Sequence, residues 1–378
     1  MNPHSSQTEP IRHADGPTIG PGRHRVLIQA YACLPDHGSE EGVGWNRAIE
    51  TAKYFDTWVI CCKRLCANGI RRHFATHGAI PGLRFVYLSN SRRERFLAGI
   101  PGLRYLAYNL WNRRAGRLAQ RLHKRHRFSL VHHLNYCGFR EPGYLWKLDA
   151  PFVWGPLGGA QNYPWRFLPK AGLSVTIREG VRSIINELQL RFSPRVRKAA
   201  QRAALLMAAT TTNYQALTRA HRVKPLIFIE GGVAERSFAA TPPRTDGILR
   251  ILWCGNLEPW KALHLLIEAL AQLPQDVRWE LRVVGSGSLA TQWQRLAEHH
   301  GLDDRIRWMG QVSHQEALEQ FTWADILAFT SLRDTSGTVM FESLAAGKPI
   351  LCLDHQGAAD IVDSSCGIKV PVTYPQEV

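Results

Sequence analysis

Apolar residues in this chain cluster into short runs bounded by glycine and polar positions, with helical stretches between them. RVLIQAY at 25–31 reads as a buried strand, and the glycine-rich loop CLPDHGSEEGVGW leads from it into a helical pattern. Strand, glycine loop and helix open a doubly wound domain. Further strands are predicted at 57–62 and 84–88, at FSLVHHLN (128–135), at FVWGPLGG (152–159), and at 204–210 and 226–230. Runs apolar on both faces that alternate with helices suit a parallel sheet covered on both sides. SFAATPPRTDG at 237–247 is small, polar and Pro-rich, which reads as a linker. The alternation then restarts with ILRILWCG (248–255), WELRVVGSGS (279–288), RIRWMG (305–310), DILAFTS (325–331), PILCLD (349–354) and GIKVPV (367–372), with helical patterns between. The expected organisation is α/β: a disordered tail over 1–24, a Rossmann-like domain over 25–236, a linker over 237–248, and a second Rossmann-like domain over 249–378. Two such domains place a ligand in a central cleft, at the C-terminal ends of their strands.

Composition narrows the function classes. With 45% hydrophobic residues and 12 Trp in 378 residues, most of the chain can bury a core. The eight cysteines lack paired C-x2-C spacing, which suits buried or free thiols in a reducing compartment rather than zinc or disulfides. No apolar run approaches the ~18 residues of a membrane-spanning helix. Net charge is +16, and between Arg92 and Arg127 eleven Arg or Lys face a single acid, Glu94, interleaved with aromatic and leucine residues. Such a stretch can lie on an anionic membrane surface, or it can be a solvated helix whose apolar face packs on its own sheet. Nucleic acid is not expected, because no finger, RNP or helix-turn-helix signature accompanies the charge.

The stretch 330–354, TSLRDTSGTVMFESLAAGKPILCLD, carries the most specific chemistry. Phe341, Leu344 and Ala345 recur at helical spacing, so Gly337, Thr338 and Val339 would supply first-turn amides and a positive helix end to an anion. Asp334 precedes that end and Glu342 lies inside the helix. Carboxylates accept pairs of hydrogen bonds from vicinal diols, so a sugar joined to a nucleoside diphosphate would satisfy both ends. The plain alternative is that Asp334 caps the helix and Glu342 faces solvent. Gly285 and Gly287 in VVGSGS read on their own as a tight turn between strand and helix, and the glycines around Gly38 and Ser39 let backbone amides approach an anion.

The spacing of Asp334 and Glu342 resembles the E-x7-E motif of retaining GT-B-type glycosyltransferases, group one, with Asp in place of the first Glu. GSEEGVGW and FVWGPLGG resemble loops of a bacterial branch of that family, and the similarity runs almost continuously over 25–373. WCGNLEPWKA resembles the family's G-R-L-x-x-x-K-G segment at Gly255, Leu257 and Lys261, with Asn256 in place of Arg and Ala262 in place of the second Gly. The resemblance implies a GT-B fold and assigns Lys261 to the leaving diphosphate. It places Gly285 and Gly287 under the nucleotide, Gly38 and Ser39 near the donor phosphates, and His132 or His133 against the transferred sugar. It also implies further helices after GIKVPV, so the C-terminal domain is expected to be incomplete.

The resulting expectation is a metal-independent, retaining hexosyltransferase without a resident cofactor. Its donor is a nucleotide sugar with a UDP or GDP carrier, and its acceptor a saccharide or lipid-linked saccharide of cell-surface polysaccharide synthesis. Such a protein would be cytoplasmic, at the inner face of the membrane. Two rivals stay open on the same fold: a non-catalytic scaffold that binds a glycan or partner, and a nucleotide-sugar epimerase.

Overall fold

The computed structural model of the chain describes residues 13–15, 22–35, 37–169, 172–233, 245–375 and 377. Most of the expected tail and linker, and the side chain of Ser39, lie outside these. Within the expected tail, β1 (His13–Asp15) pairs antiparallel with residues 84–86 of the first sheet.

The first sheet continues with β2 (Arg25–Ala30), β3 (Asp56–Cys62), β4 (Leu83–Leu88), β5 (Leu130–Asn135), β6 (Phe152–Leu157), β7 (Leu205–Ala208) and β8 (Leu226–Ile227). Its helices are α1 (Ser39–Ala52), α2 (Lys63–His77), α3 (Arg92–Gly99), α4 (Arg104–His126), α5 (Leu173–Phe192), α6 (Pro194–Arg202) and α7 (Thr211–His221). The second sheet is built from β9 (Leu249–Cys254), β10 (Trp279–Val284), β11 (Ile306–Gly310), β12 (Ile326–Phe329), β13 (Ile350–Asp354) and β14 (Gly367–Pro371), with α8 (Leu263–Ala271), α9 (Ala290–His299), α10 (His314–Trp323), α11 (Thr338–Ala345) and α12 (Gln356–Ile361). Strand order is β1-β4-β3-β2-β5-β6-β7-β8 in one and β11-β10-β9-β12-β13-β14 in the other. Both orders step outward from a first strand and then reverse, the Rossmann pattern. Ligands in such sheets sit where the order reverses, at the ends of β2 and β5 and of β9 and β12.

Alternation along β9 shows why these runs had to be strands. Ile251 and Trp253 pack with Leu263, Ile267 and Trp293 on one face, while Leu252 packs with Phe321, Leu327 and Met340 on the other. The described residues divide into two compact units. The first runs to Cys137 and adds 141–155 and 198–206; the second comprises 138–140, 156–197 and the chain from Met207 onward. Within the second unit, Tyr163, Phe167 and Leu168 share a core with Ala262, Leu265, Leu332 and Leu353, which joins the segment before α5 to the C-terminal sheet.

The basic stretch forms two helices, broken at Pro101 and Gly102, where Gly102 has φ +82°. Tyr108, Trp111, Ala115, Ala119 and Leu122 are buried, so most of the apolar side of α4 covers its own sheet. Arg113, Arg117 and Arg121 stay exposed on the other side, with Phe96, Tyr105 and Leu106 exposed nearby in the chain. Glu94, the lone acid, is buried against Arg114 at 2.9 Å. No helix among the described residues is long and apolar enough to cross a membrane.

Candidate functional site

Two glycine loops meet at the C-terminal ends of β9 and β10. Gly285 has φ +129°, and a Cβ placed on it would stand 1.9 Å from the Gly255 carbonyl oxygen; one on Gly287 would stand 2.4 Å from that of Leu257. Backbone bonds lace the loops, with the Gly255 amide donating to the Val284 carbonyl at 2.9 Å and the Leu257 amide to the Ser286 carbonyl at 2.9 Å. These glycines are therefore demanded by close approach of backbone to backbone, while the exposed Asn256 sits on the outer side of the loop. Glu258 adds a side-chain tie by accepting from the Ser288 amide and hydroxyl at 3.2 and 2.9 Å.

A short 3-10 turn, Pro259–Lys261, then presents Lys261. Its ammonium is ion-paired with the Asp334 carboxylate and lies 5.4 Å from the centre of the Phe329 ring. Thr330 donates its hydroxyl to the Lys261 carbonyl at 2.7 Å and accepts from the Trp253 indole at 3.0 Å, which fixes the lysine backbone to the end of β12. Ala262, the next residue, adopts a left-handed conformation with φ +49°. Glycine is the residue suited to that backbone, which gives a physical reason for the glycine expected there.

Gly337 is the N-cap of α11, and a Cβ on it would come within 2.7 Å of Phe329. The ring that faces Lys261 thus also shapes the start of this helix, whose first amides have no partner within the helix. Thr338 and Val339 open its first turn. Glu342, one turn on, is nearly buried and accepts from His314 Nε2 through Oε1 at 2.8 Å. The reading in which Glu342 faces solvent does not hold. Nearby Cys254 feels both Glu342 and Lys261; burial pushes its thiol up to about 12, so it stays neutral.

The Asp334 loop is braced from far away in the chain. Gln356 accepts from the Asp334 amide at 2.9 Å and donates to the Asn162 carbonyl at 2.8 Å, and its own φ is +51°. Arg333 pairs with the buried Glu179 of α5 at 3.1 Å and lies over the Trp260 ring at 4.9 Å. Asn186, also on α5, donates to Asn162 Oδ1 at 3.0 Å and accepts from Arg140 at 2.8 and 3.1 Å. Burial lowers the Arg333 guanidinium below its ordinary value, and the charge of Glu179 opposes that shift.

In the first unit, Gly38 is the N-cap of α1, and the space where its Cβ would be is open. Gly42 and Gly44 are packing glycines, each facing a carbonyl oxygen at 2.2 and 2.1 Å from a would-be Cβ. Asn135 holds the loop by donating to the Ala32 and Glu40 carbonyls at 2.7 and 2.8 Å. Glu40 turns its carboxylate to the Cys137 amide at 3.0 Å, and burial raises its pKa. His132 donates Nε2 to the Gly155 carbonyl at 2.7 Å and His133 donates Nε2 to the Glu141 carbonyl at 3.1 Å. Both are buried, and desolvation pushes the His132 imidazole down to about 4, so it is neutral. Each Nε2 is thus bonded to a backbone carbonyl, which holds both rings at the end of β5.

The structure therefore brings Lys261, Asp334, Gly337 and Glu342 together around β9 and β12. Sequence reasoning did not single out His314, Arg333, Glu179 or Gln356. Only His314 carried a local signal, since it follows Ser313 in the capping box SHQE that opens α10.

Residues 238–376 match the profile of Glycosyl transferases group 1. A 159-residue stretch is 29% identical to the D-inositol 3-phosphate glycosyltransferase of Streptomyces bingchenggensis (strain BCW-1), covering 39% of this chain and 34% of that protein. A 120-residue stretch is 30% identical to the lipopolysaccharide glucosyltransferase WaaG of Escherichia coli (strain K12), covering 31% of each. The chain spans about a third of the length of these curated relatives. Solved structures match more widely. The apo lipopolysaccharide outer core galactosyltransferase WaaB aligns with TM-score 0.59 and 14% identity over 93% of this chain and 86% of its own. HepE from Anabaena, in complex with UDP and glucose, aligns with TM-score 0.57 and 16% identity over 94% and 88%. At such identities the likeness establishes the fold, two Rossmann-like domains of the GT-B type.

Proposed function

We propose, from a chain whose C-terminal part carries a group 1 glycosyltransferase domain, that the protein moves a hexose from a nucleotide sugar to a hydroxyl of a saccharide or lipid-linked saccharide. The observation that carries this reading is the convergence of a lysine, two carboxylates and a helix start at the reversal point of the second sheet. Lys261 and the amides of Gly337, Thr338 and Val339 hold the diphosphate, Asp334 orients the transferred sugar, and Glu342 accepts from the ribose diol. The bond from the sugar's anomeric carbon to the diphosphate oxygen breaks as the acceptor oxygen bonds the same face. Bonding on the face that the phosphate leaves retains the configuration, and the acceptor's proton passes to the leaving phosphate. Charge grows on the leaving oxygen in that transition state, where fixed positive groups act most strongly.

Hydrolysis or transfer from labelled UDP-, GDP- and ADP-sugars tests the reading. UDP-sugars come first, because HepE, which shares the fold, is seen with UDP and glucose. A donor should raise the melting temperature and be turned over, since ligand that binds only the native state stabilises it by mass action. Stabilisation without turnover on any acceptor would instead favour the scaffold reading. Because Lys261 and the helix end supply the positive charge, EDTA is expected to leave the rate unchanged; inhibition restored by a divalent cation would overturn the metal-free mechanism.

Polysaccharide acceptors on lipid carriers would place the enzyme at an anionic membrane, reached through the basic face of α4. Changing Arg113, Arg117 and Arg121 together to Gln should weaken co-sedimentation with anionic vesicles at low salt, each exposed charge contributing on the order of 1 kcal/mol. Arg114 is left in place to neutralise the buried Glu94. Equal sedimentation of variant and parent would remove α4 from membrane attachment.

A further inference from the structure

Helix α5 is amphipathic in the reverse sense. Glu179, Ser183 and Asn186 lie on its buried side, where Glu179 pairs with Arg333 and Asn186 bridges Arg140 and Asn162. Leu173, Ile177, Val181, Ile184, Leu188 and Phe192 recur every three or four residues and are 51% to 78% exposed. At helical spacing these six form one stripe along the 20-residue helix. A contiguous apolar stripe of this length is more than a soluble surface keeps without a use.

The surroundings indicate what covers it. Arg178 borders the stripe on one side and Arg191 on the other at helical spacing, and both are exposed. Exposed Trp165 and Arg166 precede the helix and exposed Arg197 follows it. Arg191 pairs with Glu187 at 2.6 Å, the one acid of α5 that is not buried. The net charge of the whole chain is +16. A second copy would bring the same basic borders together, whereas an anionic bilayer complements them. An interfacial helix needs an apolar face and basic flanks, and an aromatic at its end strengthens it, here Phe192. Its polar face normally turns to water; in α5 the side with Glu179 and Asn186 turns to the protein, so the helix is held at the surface by the Arg333 and Asn162 bonds and turns its apolar stripe outward between Arg178 and Arg191.

We propose that the α5 stripe inserts into the headgroup and acyl boundary of an anionic bilayer. It differs from the α4 contact in residues and in physics, since apolar insertion survives screening, and it does not rest on the transfer reaction. In ~1 M salt the screening length falls to about 3 Å, which removes the contribution of α4 but not that of buried apolar area.

The test uses the full chain with phosphatidylglycerol–phosphatidylethanolamine vesicles and with phosphatidylcholine vesicles, at low and at high salt. The parent should favour the anionic vesicles at low salt and stay partly bound to them at high salt. Ile177→Ser, Val181→Ser and Leu188→Ser combined should reduce the salt-resistant fraction ~100-fold or more, with far-UV circular dichroism and melting temperature unchanged. Leu188→Lys alone provides a second reading should the triple variant lose its fold, and it should also release the protein at high salt. Complete release of the parent by salt, or salt-resistant binding by a folded variant, overturns the proposal. So does a concentration-dependent dimer in light scattering that the triple variant abolishes, which would make a second copy the occupant. Loss of turnover with vesicle binding intact would count against the transfer reading alone.

Discussion

Lys261→Ala is expected to lower kcat by ~10²- to 10³-fold while changing the donor's KM far less, because charge on the leaving diphosphate is greatest in the transition state. The structure sharpens this expectation. Lys261 is already paired with Asp334, so a bound diphosphate must share the ammonium with a carboxylate that the reading assigns to the sugar. The two residues act as a unit, and their substitutions should be strongly non-additive. Asp334→Asn should spare or tighten binding of the free nucleoside diphosphate, since Lys261 is then released to the anion, and yet cut turnover. Steady-state kinetics and calorimetry on the single and double variants measure this. A Lys261→Ala enzyme at full kcat would remove the lysine from the mechanism. Equal damage to affinity and turnover in Asp334→Asn, with a lowered melting temperature, would mean that the pair is structural.

The second large effect is expected at Glu342. Its Oε1 accepts from His314, and the reading gives the remaining oxygen to the ribose diol. Glu342→Ala should weaken nucleoside diphosphate binding ~10- to 100-fold, as a hydrogen bond to a charged group is worth about 1.5 to 3 kcal/mol. His314→Ala should weaken it less, because that side chain orients the carboxylate without touching the nucleotide. Unchanged affinity in Glu342→Ala would end the ribose role. A nucleotide lacking the ribose hydroxyls offers an independent check: it should bind parent and variant alike.

How far these residues could be read before the fold was known depended on how local their causes are. The strand Asp56–Cys62 is buried on nearly every position, which leaves the apolar run Trp58 to Cys62 in the sequence, while Leu130–Asn135, equally buried, carries His132, His133 and Asn135 inside its run. Asp334, Glu342 and Gly337 were legible because one loop and one helix contain them all. The braces of that loop were not, since Arg333 meets Glu179 at a separation of 154 residues and Gln356 meets Asn162 at 194. Helix α5 illustrates a different failure. Its apolar period is plain, but a period says only that one face differs from the other, and here the polar face is the one turned inward. The histidines at 132 and 133 show the same limit: position at a strand end was readable, while the carbonyls that take their Nε2 protons, Gly155 and Glu141, come from chain that folds back later.

The contact between Gly255 and Gly285 bears on how this protein could be redesigned. Any side chain at position 285 would collide with the carbonyl of 255, so a mutant library that randomises the two loops would be dominated by unfolded members. Donor preference should be explored instead at the exposed Asn256 and at Gln311, which accepts from the Ser286 hydroxyl at 3.1 Å. Those two side chains can change without moving either backbone, and the useful sequence space around the two loops is correspondingly narrow.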